Sequence, residues 1–142
     1  MKVCEIMSSK VVCIRQDEPV SAAAKLLKRS NVGALPVCTS DGKLKGMVTD
    51  RDIVLRCVAA GSDPETTAVN EIMSRSVVTA SPMDDLKKVS EIMSTAQIRR
   101  LPVVDNGKLV GIVSLGDLSR QPHCEMEAAK ALSEISSNIR KR

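Results

Sequence analysis

The chain has 142 residues, 43% hydrophobic and 27% charged, without a single Phe, Tyr or Trp. That length holds one ordinary domain or two small fused units; no apolar run reaches the roughly 20 residues that span a bilayer, and the missing aromatics argue against stacking platforms for single-stranded nucleic acid. The net charge of +4 is concentrated at the end, where Arg140, Lys141 and Arg142 carry three of the four charges and read as a solvated tail rather than a nucleic-acid or membrane contact.

The chain begins Met1-Lys2-Val3-Cys4-Glu5, reaching an acidic residue before any apolar stretch, so it does not read as a signal peptide. A cytoplasmic location is expected, with the five cysteines as reduced thiols. Their odd number and the lack of any CxxC pair argue against a disulfide framework or a zinc ribbon. Glu5-Ile6-Met7-Ser8 then opens the first of two copies, because it recurs as Glu71-Ile72-Met73-Ser74, 66 residues on. At the same offset Val11-Val12 meets Val77-Val78, and Leu35-Pro36-Val37 meets Leu101-Pro102-Val103. After one residue is dropped in a turn, Gly42-Lys43-Leu44 meets Gly107-Lys108-Leu109, Gly46 meets Gly111, Thr49 meets Ser114 and Asp52 meets Asp117. Ordered matches with one indel in a turn mark a duplication. Repeat one covers 4–60, a linker 61–67, repeat two 68–120 and a C-terminal extension 121–142.

Within each repeat a short strand, 11–14 or 77–80, comes first. The next helix has Pro19 or Pro82 in its first turn, where proline is tolerated, and Ser81 with Asp84 resembles a capping box. Val20, Ala23, Ala24 and Leu27 share one helical face, as do Leu86, Val89, Ile92 and Met93. Strands over 34–38 and 100–104 are joined through Asp41-Gly42 and Asn106-Gly107, both strong hairpin signals, to strands over 44–48 and 109–113. A second helix starts at Thr49 or Ser114, and Gly61 suits its stop in the first copy. The order is β-α-β-β-α twice. One unit of ~55 residues has a marginal core, so the two copies are expected to pack their sheets together.

The sharpest chemical signal is the repeated G-h-h-[ST]-x-x-D, present as Gly46-Met47-Val48-Thr49-Asp50-Arg51-Asp52 and Gly111-Ile112-Val113-Ser114-Leu115-Gly116-Asp117. A capping hydroxyl with an acid three residues later stabilises a helix start by about 1 kcal/mol, which explains the Thr or Ser and the Asp. It leaves the glycine unexplained: a missing Cβ suits the close approach of a ligand or of another backbone. Exposed N–H groups at a helix start suit a phosphate, and a nearby carboxylate suits a ribose diol.

These pieces resemble a tandem pair of CBS domains, the Bateman module, over about residues 3–120. Asn31-Val32-Gly33-Ala34-Leu35-Pro36-Val37, Thr49-Asp50-Arg51-Asp52-Ile53-Val54, Arg99-Arg100-Leu101-Pro102-Val103 and Ala131-Leu132-Ser133-Glu134-Ile135-Ser136 are similar to the stand-alone bacterial subgroup of the hypoxic response protein 1 type. The resemblance implies an α/β (α+β) fold in which two pseudo-symmetric β-α-β-β-α repeats pack through their sheets into a disc. It also implies clefts between the repeats for adenosine-containing ligands: AMP, ADP, ATP, NAD or S-adenosylmethionine, as regulatory ligands rather than obligatory cofactors. On this chain Asp52 and Asp117 would hold ribose hydroxyls, and Thr49 and Ser114 would meet ribose or phosphate. Val11, Val12, Ala34, Val77 and Val78 would flank adenine, and Arg100 would reach phosphate. Repeat one has Gly33 and Ala34 where repeat two has Arg99 and Arg100, so the two sites are expected to differ. Because neighbouring strand residues face opposite sides, only one of the arginine pair is expected to face the ligand. Arg51 has two readings, a phosphate contact or a partner on its helix surface.

Cys13 and Cys38 lie in apolar strand segments and Cys57 on an apolar helix face, where free cysteine behaves as a small hydrophobe. His123-Cys124 is the sole His/Cys neighbour pair and by itself a weak metal site. In 125–142, Ala128, Leu132, Ile135 and Ile139 form an amphipathic stripe, expected to pack on its own module or across a dimer interface. One histidine, no Walker-type loop and no nucleophile–base pairing argue against an enzyme, and the resemblance implies a non-catalytic sensor. Its expected partners are a nucleotide, a second copy and an unidentified protein effector. The alternative is a stress-response scaffold or a thiol- or metal-responsive protein whose nucleotide clefts are empty.

Overall fold

A computed structural model of the chain describes residues 1–121 and 125–140. They form two compact units, and neither coincides with one sequence repeat. The first unit comprises Val12–Val77 with Gly107–Leu109; the second comprises Met1–Val11, Val78–Asn106 and Val110–Arg142. The opening segment of repeat one therefore packs with repeat two, and the opening segment of repeat two packs with repeat one.

The first unit runs β1 (Ile14–Arg15), α1 (Val20–Ser30), β2 (Ala34–Cys38), β3 (Leu44–Thr49) and α2 (Asp50–Ile53), continued by a π-helix at Val54–Val58. β1 pairs parallel with β2 through Ile14–Val37 and Arg15–Cys38, and β2 pairs antiparallel with β3 from Ala34–Thr49 to Cys38–Leu44. A bridge between Met47 and Ser74 extends this sheet beyond β3. Its core joins Val20, Ala23 and Leu27 of α1 to Leu35, Val37 and Val48 of the sheet and to Val69, Ile72 and Met73. Asn31, at φ 53°, ends α1 in the left-handed conformation, and Lys28 and Arg29 sit at its negative dipole end.

The second unit contains α3 (Leu86–Ala96), β4 (Arg100–Asp105), β5 (Lys108–Ser114) from Val110 onward, α4 (Leu115–Ser119) and α5 (Glu125–Arg140). β4 and β5 are neighbours in the sheet. Ala80 bridges Val103 in parallel, and Ser8 bridges Ile112 antiparallel. The two Glu-Ile-Met-Ser copies thus end in equivalent places, each bridging the last strand of the other repeat. The turn at Asn106 and Gly107, φ 52° and 81°, has the two left-handed residues that an Asn-Gly hairpin needs. Leu86, Val89 and Met93 of α3 face a core shared with Val3, Leu101, Val103, Val113 and Leu118.

The structure corrects several expectations. The leading strands shrink to Ile14–Arg15 and to the single bridge at Ala80. Continuing each parallel ladder two residues upstream would need an N–H from Pro36 or Pro102, and proline has none. Pro19 is the N-cap residue of α1 rather than part of its first turn. Pro82 lies ahead of α3, whose N-cap is Asp85. Ser81 and Asp84 close a turn, with Ser81 N–H donating to Asp84 Oδ2 at 2.9 Å. Ala24 is exposed, and so is Cys13, whereas Cys38 and Cys57 are buried. The buried face of α5 is Ala128, Ala131 and Ile135, which leaves Leu132 43% exposed. His123, Cys124, Lys141 and Arg142 lie outside the described residues, and so does the Ile139 side chain.

Candidate functional site

The repeated motif forms the same local structure twice. At the end of β3, Thr49 Oγ1 accepts from Asp52 N–H at 3.0 Å, and Thr49 N–H donates to Asp52 Oδ2 at 3.0 Å. At the end of β5, Ser114 Oγ accepts from Asp117 N–H at 3.1 Å, and Ser114 N–H donates to Asp117 Oδ2 at 2.8 Å. These are complete capping boxes. The first helical N–H of each copy is also used, Asp50 donating to the Gly33 carbonyl at 3.0 Å and Leu115 to the Arg99 carbonyl at 2.8 Å. One carboxylate oxygen remains in each box, and each has an arginine beside it. Asp52 Oδ1 lies 3.9 Å from Arg56 Nε, and Asp117 Oδ1 lies 2.5 Å from an Arg120 guanidinium nitrogen.

The motif glycines are explained by backbone approach. A Cβ on Gly46 would stand 2.5 Å from the Ser74 carbonyl oxygen. On Gly111 it would stand 2.5 Å from Met7 Sδ and 3.0 Å from the Ser8 carbonyl oxygen. Each glycine admits the Glu-Ile-Met-Ser segment that bridges the adjacent residue, Met47 or Ile112.

The remaining residues singled out by sequence divide between the units. In the first, Ala34 is half-buried and pairs with Thr49, Val12 is exposed, Val77 is half-buried and Arg51 is exposed on α2. In the second, Val11 is half-buried, and Val78 and Arg100 are exposed. The structure gathers Arg100 and Ser114 at one cavity of about 660 Å³ together with Arg99, Leu115, Gly116 and Ser119. Ala128, Ala129 and Leu132 of α5 complete its lining. Both arginines contribute to the lining of this space, Arg99 just ahead of β4 and Arg100 as its first residue. Asp117 is not part of this lining. Sequence reasoning missed Ser119 and the α5 residues; the stripe in 125–142 was the available signal, but it did not show what that helix covers.

Cys38 is the most perturbed acid in the first unit. Burial pushes its thiol up to about 12, and the Cys13 charge and a thiol–thiol hydrogen bond with Cys13 add to the shift. In the second unit the Ser81 backbone N–H, and then Lys88, hold Asp84 below the usual carboxylate range against the opposing effect of burial. Among the described residues no group of three or more His, Cys, Asp or Glu side chains could hold a metal ion, and no helix is long and apolar enough to cross a membrane.

Comparison with known proteins places this architecture. A CBS domain family model matches residues 3–58 and 69–123. Hypoxic response protein 1 of Mycobacterium tuberculosis is 42% identical over 73 residues, 51% of each chain. CBS domain-containing protein YhcV of Bacillus subtilis is 45% identical over 80 residues, 56% of each chain. The chain thus spans about half the length of the curated relatives it matches. Among solved structures, Hypoxic Response Protein I with two coordinated zinc ions superposes at a TM-score of 0.79 and 36% identity, covering 85% of this chain and 98% of that one. The CBS domain pair of protein MJ0100, in complex with methylthioadenosine and S-adenosyl-L-methionine, superposes at 0.73 and 33% identity, covering 84% of this chain and 98% of that one.

Proposed function

The chain belongs to the CBS domain family, and on that premise we propose that it is a non-catalytic regulatory module that binds adenosine-containing ligands. The observation that carries this reading is the second-unit cavity, which Arg99, Arg100, Ser114 and Ser119 line together with the apolar residues Leu115, Ala128, Ala129 and Leu132. Guanidinium groups hold phosphate oxygens through paired hydrogen bonds, and the apolar wall suits the body of a nucleotide. The MJ0100 pair, with its two adenosine compounds, supports the ligand class. In this reading Arg100, with Arg99, takes phosphate and Ser114 takes ribose or phosphate. Asp52 and Asp117 offer their Oδ1 atoms to ribose once Arg56 and Arg120 turn aside. Thr49 and Arg51 serve the first-unit ligand. Val12, Ala34 and Val77 of the first unit, and Val11 and Val78 of the second, give adenine its apolar contacts. The exposed Val54, Leu55 and Val58 of the π-helix supply an apolar surface for a second copy of the chain.

The test is calorimetric titration of AMP, ADP, ATP, NAD, S-adenosylmethionine and adenosine into wild type and Arg100→Ala. The expected result is a preference of AMP over adenosine at one site, lost in Arg100→Ala and weakened by salt. An unchanged AMP-to-adenosine ratio in Arg100→Ala would remove the phosphate role from this arginine. A second reading, a thiol- or metal-responsive protein, is favoured by the neighbouring thiols of Cys13 and Cys38 and by the two zinc ions in the similar Hypoxic Response Protein I structure. Metal analysis of the purified protein checks it, and a preparation free of bound metal that also takes up no zinc counts against the metal form.

A further inference from the structure

We propose that α5 is a working wall of the second-unit ligand site, closing it over a phosphate-bearing ligand and limiting what fits there. This rests on the nucleotide reading of that cavity. The helix docks through Ala128, Ala131 and Ile135, which are 4%, 0% and 3% exposed, with Ala128 and Ala131 in the second-unit core. A neighbouring strip of the same helix, Ala129 and Leu132, is exposed and lines the cavity that holds Arg99 and Arg100. Leu132, 43% exposed, lines the same cavity as Arg99 and Arg100, and an apolar wall there suits a site that excludes water from an arginine–phosphate contact, where ionic hydrogen bonds strengthen.

A second observation points the same way. Repeat two departs from repeat one within the shared motif at Leu115 and Gly116, which replace Asp50 and Arg51. Both replacements line this cavity. An aspartate and an arginine there would set charge against the methyl and isobutyl groups of α5, whereas Leu115 extends the apolar wall. Gly116 adds no side chain, and a Cβ there would meet only Ser114 Oγ, at 3.6 Å. In repeat one, where the charged pair stands, the second helix runs into the π-helix and stops near Gly61, φ +77°. The departures in the motif and the α5 strip are two halves of one surface. The ligand they fit carries phosphate for the arginine pair and a body no larger than the space beside Ala129.

The experiment titrates ADP into the full chain, wild type, Ala129→Trp and Leu132→Ala, and follows backbone hydrogen exchange in α5 with and without ADP. Ala129→Trp fills the cavity without removing a polar group, and Leu132→Ala, which cannot overpack, covers the case in which the tryptophan undocks the helix. The expected result is at least a tenfold loss of ADP affinity in Ala129→Trp and a three- to tenfold loss in Leu132→Ala, together with slower α5 exchange when ADP binds wild type, since coupling between docking and binding is reciprocal. If ADP binds all three proteins equally and leaves α5 exchange unchanged, the wall is overturned and the nucleotide reading stands. If neither ADP nor any other adenosine ligand binds wild type, both are overturned.

Discussion

At the scale of single residues, the capping boxes give Asp52 and Asp117 a structural task that coexists with the proposed ligand task. Asp52→Ala and Asp117→Ala should each lower the urea midpoint by the equivalent of about 1 kcal/mol, the usual worth of a helix cap. For Asp117→Ala, loss of a charge-assisted contact should also reduce affinity for an adenosine ligand by roughly tenfold, on the order of 1.5 kcal/mol. Titration well below the melting temperature separates the two effects, and an unchanged affinity would leave Asp117 a cap alone. The cysteines give a second test. Cys38, with its thiol pushed up to about 12 and its side chain buried, stays protonated at pH 8. Because the thiolate is the reactive form, iodoacetamide at pH 8 should modify the exposed Cys4 and Cys13 well before the buried Cys38 and Cys57. Peptide mass mapping over time reads the order, and early labelling of Cys38 would contradict its burial.

At the scale of elements, the decisive pairs are the motif glycines with the Glu-Ile-Met-Ser segments. Gly46 and Gly111 occupy equivalent positions, yet their neighbours differ in softness. The added Cβ of Gly46→Ala meets a backbone carbonyl at 2.5 Å, whereas that of Gly111→Ala first meets the flexible thioether of Met7. Overpacking a rigid site costs roughly 1–3 kcal/mol, so Gly46→Ala should fall at the upper end and Gly111→Ala below it. Chemical denaturation of both variants gives the ranking, and a larger loss at Gly111 would reverse the argument. The hairpins and the helix starts at Thr49 and Ser114 were legible because the Asp-Gly and Asn-Gly turns and the capping boxes act within a few residues. The leading strands were not legible in the same way. Val11-Val12 and Val77-Val78 have strand composition, but the proline two residues into each partner strand removes the donor their pairing requires.

At the scale of the whole molecule, the exposed Val54, Leu55 and Val58 belong to a π-helix whose one buried side chain is Cys57. If this surface holds a second copy, light scattering at micromolar concentration should give twice the 15.3 kDa chain mass, and Val58→Glu should return the monomer. A wild-type mass of one chain at that concentration would count against the pairing. α5 contributes differently from the sequence expectation. Its stripe was read as Ala128, Leu132, Ile135 and Ile139, but docking rotates Ala131 inward in place of Leu132, and that rotation is what delivers Leu132 to the cavity.

By itself the sequence determined the duplication, the hairpin and helices of each repeat, the capping boxes and the family resemblance, since all of these rest on local spacing that two copies display twice. It also marked Arg99 and Arg100 as the asymmetry between the repeats. Only the tertiary structure decided that each repeat's opening segment completes the other repeat's sheet. The same is true of the motif glycines, which make room for that segment rather than for a ligand, and of the two arginines sharing a cavity with the C-terminal helix. The physical reason is common to all three. Strand exchange, backbone approach and cavity walls join residues tens of positions apart, and local propensity carries no record of which distant segment will supply the missing hydrogen bond or the missing wall.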